Sequence, residues 1–194
     1  MNVRNTLIAA AVGTLFASMA FAQTATEVQR NANQQQRIEQ GLQSGQLNTK
    51  EAGRLEREES RVEHMEAHAG KDGNVSPQEA ARINAAQNKV SQDIYREKHD
   101  AQVGNPNSAS SQRMQADVQR DINQQNRIEQ GVQSGQLTTR EAGKLERGQA
   151  RDNRLQARAA RDGHVGAGEQ RRVQMAENHQ SNRIWRKKHN DRTQ

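Results

Sequence analysis

His64 and His68 stand four residues apart with Met65 between them. At that spacing two neutral imidazoles share one helical face and can chelate Zn²⁺, Cu²⁺ or Ni²⁺. A later repeat of the same stretch carries Arg154 and Arg158 at these places, so a solvated surface pair is the competing reading. Basic residues offer a second chemistry. Arg151, Arg154, Arg158 and Arg161 recur at helical steps, with Lys187 and Lys188 further on. Such a row attracts polyanions such as lipopolysaccharide phosphate, acidic polysaccharide or DNA. The earlier copy has Arg61, His64, His68 and Lys71 there, but Glu58, Glu59, Glu63 and Glu66 share its helix and are expected to cancel the field. Tyr95 and Trp185 fill one slot among basic residues, and each is expected to close the end of a helical core rather than stack on a base or sugar. Catalysis has no candidate. No Ser/His/Asp set or carboxylate pair recurs, the acids read as scattered over solvated faces, and without Cys there is neither a thiol nucleophile nor a thiolate metal site.

Four segments follow the pattern Gly-x-apolar-cap-x-x-Glu. They start at Gly45, Gly73, Gly135 and, in degraded form, Gly163. Asn48, Ser76 and Thr138 stand where a helix N-cap accepts from backbone N–H groups, and Glu51, Glu79 and Glu141 where the bond is returned. These segments resemble the exiting half of an EF-hand calcium loop. The resemblance places Asp72 and Asp162 at a ligand position, and Glu79 and Glu169 at the closing bidentate position. The opening ligand positions fall instead on His68 and Gly70, then on Arg158 and Ala160. A hard cation wants six to eight oxygens, so the capped helix turn is the preferred reading. Weak Ca²⁺ or transition-metal binding is the alternative, and no other cofactor is expected.

Those turns must be held by helices. Val28, Ile38 and Leu42, then Leu55, Val62 and Met65, then Ile83, Val90 and Ile94 follow steps of three and four. Helices are therefore predicted near 26–44, 48–70 and 76–99. Residues 28–100 align without a gap to 118–190, with 38 identities in 73 positions at a constant offset of 90. The fold class is all-α: two tandem copies of a three-helix up–down unit, over 26–100 and 118–190, on a flexible linker over 101–117. With only 31% hydrophobic residues in 194, loose packing is expected unless the units or a partner cover the stripes.

Arg4, the apolar run Leu7 to Phe21 and the small-x-small site Ala20-Phe21-Ala22 read as a signal peptide over 1–22. That run is too short for a stable membrane span. A periplasmic or secreted location follows, where no nucleotide cofactor is at hand. The QSGQLT and EAGxLE wording resembles a group of small exported proteins of Gram-negative bacteria, and this resemblance implies no activity. The first unit carries 11 basic and 12 acidic residues and the second 15 and 8. The leading expectation is a non-enzymatic protein acting through its surface in envelope stress or assembly, with an envelope protein or anionic envelope polymer as partner. Divalent-metal binding and polyanion binding by the second unit are the alternatives.

Overall fold

The computed structural model describes residues 6–190, with side chains described from residue 22 onward, so Arg4 and the side chains of the apolar segment lie outside the described residues. The described residues form six helices: α1 (Thr6–Ser44), α2 (Thr49–Ala69), α3 (Pro77–Lys98), α4 (Ala109–Gln133), α5 (Thr139–Ala159) and α6 (Ala167–Lys188). No described helix is long and apolar enough to cross a membrane.

Local chemistry sets the helix ends. Asn48 accepts from Lys50 N and Glu51 N, and Glu51 accepts from Asn48 N at 2.9 Å. Ser76 with Glu79 and Thr138 with Glu141 form the same reciprocal box. At α6 the cap is Gly166, which has no side chain to offer, and only Glu169 returns a bond, at 2.9 Å from Gly166 N. Gly45 and Gly135 lie in the left-handed region at φ 77° and 73°, which lets Leu47 N and Leu137 N turn back onto Gly41 O and Gly131 O.

The segment expected as a linker over 101–117 is shorter than its composition implied. Ser108 accepts from Ser111 N and starts α4, and Ser110, Ser111, Met114 and Asp117 are already buried. Gly104 N is tied back to Gly45 O at 2.8 Å.

α2 packs most extensively on α5, and α1 on α4; α3 lies against α1 and α2, and α6 against α4 and α5. Both large pairs are antiparallel. Gly53 meets Ala160 and Gly70 meets Gly143, while Gln29 faces Glu129 and Gln119 faces Glu39 with their amide nitrogens turned toward the carboxylates. Ser60 donates to Ala150 O at 2.6 Å, and Asn153 to Glu63 at 3.0 Å. Each of these last pairs joins residues 90 apart, the offset of the sequence repeat. One apolar cluster joins Ile38, Leu42 and Leu55 to Met114 and Val118, and another joins Val28 to Ile128, Leu137 and Ile184. The stripes that looked undersized for a core are thus covered from the other half.

Small residues make the α2–α5 approach possible. A Cβ on Gly53 would stand 2.6 Å from that of Ala160, and one on Gly143 would stand 3.4 Å from Gly70 Cα. Gly53→Leu is therefore expected to overpack the seam, costing about 1–3 kcal/mol and several degrees of melting temperature. A thermal melt that matches the parent protein would show that the seam is not closely packed.

Candidate functional site

The centre of the bundle is polar. Asn31 Nδ2 donates to Glu66 at 2.7 Å, and Gln87 Nε2 donates to Asn31 Oδ1 at 2.7 Å and to Glu66 at 3.1 Å. The equivalent triad in the second half is Asp121, Gln156 and Glu177. There Gln156 Nε2 donates to Asp121 at 2.6 Å and to Glu177 at 3.2 Å, so acid and amide have exchanged places. Gln35 donates to Glu56 at 2.9 Å; Gln125 donates to Glu146 and to Glu63 at 3.2 and 3.0 Å. All these residues are buried.

A dry carboxylate sheds its charge by binding a proton, because desolvation penalises the ion. Burial pushes Glu56 and Glu146 up to about 8, with the Gln35 and Gln125 bonds opposing it. Burial raises Asp117 to about 8 and Glu177 to about 7, and drives Glu63, Glu66 and Asp121 well above the usual carboxylate range. Hydrogen bonding argues the same way. Among the described residues, the buried side-chain atoms without a partner are oxygens that can accept, such as Gln35 Oε1, Gln125 Oε1 and Asp121 Oδ1, with Gln149 Nε2 as the one nitrogen. The layer is short of donors, and a protonated carboxyl supplies one.

The outside is basic. Lys50, Arg54, Arg57, Arg61, His64 and His68 run down the exposed side of α2 at steps of four and three. Arg140, Lys144, Arg147, Arg151, Arg154 and Arg158 take the equivalent places on α5, followed by Arg161 in the turn. The two rows adjoin, since Lys50, Arg54, Arg57 and Arg161 line one groove between the helices. No acidic residue of either helix is exposed; half-buried Glu58 stands 3.9 Å from Lys89 of α3. The expected cancellation of the first half's field therefore fails, because Glu59, Glu63 and Glu66 point into the bundle.

Asp72 and Asp162 accept from the backbone N–H two residues on, at 2.9 and 3.0 Å, and Glu79 and Glu169 belong to their helix caps. His64 and His68 are exposed beside a groove also lined by Met65, Glu79 and Arg82. None of these six belongs to a described group of three ligands that converges on one point; Glu51, Glu97 and Asp100 form such a group. Lys187 is tied to Glu141 at 3.3 Å and Lys188 is half-buried, so neither stands free in the basic row. Tyr95 and Trp185 do not close a core: they are 61% and 57% exposed, stacked on His99 and His189 at 4.1 and 4.6 Å.

The buried acids set a pH dependence. A carboxyl whose folded pKa lies above its unfolded value near 4.5 adds stability below that value, and the gain is lost as pH rises through the folded pKa. Asp93 works the other way: burial raises it, but bonds from Lys89 and Glu58 leave it lowered, so its contribution is lost in stronger acid. The melting temperature is expected to peak near pH 4.5–5 and to fall by about 10 °C or more toward pH 8. Replacing both Glu56 and Glu146 by Gln flattens that descent and stabilises the protein at pH 8. A flat profile from pH 5 to 8 in the parent protein would sink this account.

Compared with protein-family models, curated proteins and solved structures, the chain matches none.

Proposed function

We propose that this chain is a non-enzymatic, exported helical protein that docks on anionic polymers of the cell envelope through the outer face of α2 and α5. The observation that carries the reading is the continuous basic surface of the two packed helices, bare of exposed carboxylates. Two tandem three-helix units, folded against each other, would present it as one plane. The apolar segment ending at Ala20-Phe21-Ala22 supports export to the periplasm or beyond. Phosphate-bearing lipopolysaccharide, acidic polysaccharide and extracellular DNA share the repeating negative charge that such a plane attracts. A role in envelope stress or assembly fits a surface of this kind.

The sequence points to the second unit alone, through Arg151, Arg154, Arg158, Arg161, Lys187 and Lys188. The first half joins it, because Arg57 and Arg61 are exposed at the positions equivalent to Arg147 and Arg151. Divalent-metal binding by the EF-hand-like turns is the weaker reading, because Asp72, Glu79, Asp162 and Glu169 already serve their own turns.

Retention on immobilised heparin and on duplex DNA tests the proposal. The protein is expected to bind at low ionic strength and to elute as salt shortens the Debye length below about 8 Å. Arg57→Gln with Arg61→Gln, and separately Arg147→Gln with Arg151→Gln, should each move elution to lower salt by similar amounts. On DNA each lost phosphate contact should reduce the slope of log K against log salt by about 0.9. Loss confined to the α5 pair would return the activity to the second half alone, and unchanged retention in both variants would remove this face from the function.

A further inference from the structure

Glu141 closes the capping box of α5 with Oε2, which accepts from Thr138 N at 3.3 Å. Its other oxygen, Oε1, accepts from Lys187 Nζ at 3.3 Å and from Asn190 Nδ2 at 2.7 Å. An ammonium and an amide thus complete a buried carboxylate where α5 begins and α6 ends.

The equivalent residues of the first half are Glu51, Glu97 and Asp100. Glu51 Oε2 serves the same cap, accepting from Asn48 N at 2.9 Å. Glu51 Oε1, however, has no partner, although the residue is only 1% exposed. One oxygen from each of the three carboxylates lies within 4.8 Å of the other two. Arg54 reaches Glu97 only at 4.0 Å, from a side chain more than half exposed, and Asp100 accepts from Gln102 N at 2.8 Å. Where the second half sets a cation and a donor, the first sets two more acids.

We propose that Glu51, Glu97 and Asp100 bind a hard divalent cation of the calcium class, seated where the second half holds the Lys187 ammonium. The donor set is all carboxylate oxygen, with no imidazole or thiolate to favour zinc or copper. Calcium tolerates the irregular geometry of a helix start facing a helix end, and water fills its remaining positions. The C-terminal end of α3 adds the negative end of its dipole. The site is separate from the four EF-hand-like turns read as ligand loops, except that Glu51 belongs to one of them through its cap.

Calorimetric titration of the full chain with CaCl₂ tests this, with melting curves in parallel. One site per chain is expected, with a Kd of roughly 10⁻⁴–10⁻³ M, as in extracellular calcium modules, and a melting temperature that rises with calcium. The double substitution Glu97→Lys with Asp100→Asn rebuilds the second half's arrangement. It should melt at or above the parent without calcium while losing at least tenfold in affinity. Asp100→Asn alone, at an exposed position beyond the helix, should weaken binding severalfold. Neither heat nor a melting shift in the parent at about 10 mM calcium, or unchanged affinity in the double variant, would overturn the assignment.

Discussion

An amide carbonyl and a carboxylate both accept hydrogen bonds, so a buried layer built from the two stays incomplete until some of the acids carry protons. That constraint governs the seam between α2 and α5. Gln35 and Gln125 give their N–H groups to Glu56 and Glu146, which leaves their own carbonyls without donors. Ionised, Glu63 would face the charges of Glu146 and Glu59, and Glu59 that of Glu56, across a dry interior; protonated, the carboxyls can return a bond to the amides. The closure of the two halves and the protonation of the layer are one equilibrium.

The outer surface follows from the inner one. The acids of α2 and α5 are drawn into the bundle or against α3, so the solvated side of the pair is left to Arg, Lys and His. The formal charge of +6 understates the outward field, because part of the acidic count is interior, where desolvation favours the neutral form. Among the described residues, the fully exposed positions of α1 and α4 are uncharged, including Asn33, Gln36, Gln40, Asn123 and Gln130, while Arg30, Arg37, Glu39, Arg113, Arg120 and Arg127 are half-buried. The outside of one large helix pair is therefore mostly neutral and that of the other strongly basic, a segregation that would orient the molecule toward the anionic polymer proposed above.

Features set by neighbouring residues were legible in the sequence. The helix starts at Asn48, Ser76 and Thr138 depend on one side chain and the backbone within three residues of it, and the chain alone announces them. The seam depends on partners 90 residues away. Glu56, Glu59, Glu63 and Glu66 recur at steps of three and four, as Arg54, Arg57 and Arg61 do on the opposite side of the helix. Both rows are polar, so hydropathy cannot say which faces inward. The small residues Gly53, Ser60 and Ala67, seven apart on a third line and matched by Gly143, Ala150 and Ala157, were the available signal for a close helix partner. The Glu51 cluster was hidden for a similar reason: the capping box explains one oxygen of Glu51, and only the fold shows that the other is left over.

Joining both units in one chain also answers a problem of symmetry. Where two helices cross on a two-fold relation, residue i meets j and j meets i, and only residues beside the axis meet their own equivalents. Identical units would set Glu63 against a second Glu, two acceptors in a dry seam. The duplicated chain sets Asn153 there instead, and its Nδ2 donates to both oxygens of Glu63 at 3.0 Å. Ser60 likewise meets Ala150, donating to its carbonyl, where a second serine would add another hydroxyl to the same narrow gap. The Asn31–Glu66–Gln87 triad carries one acid and Asp121–Gln156–Glu177 carries two, with Arg120 reaching the additional carboxylate of Glu177 at 3.2 Å. Covalent linkage thus frees the halves to differ at the positions where strict two-fold identity would pair like with like.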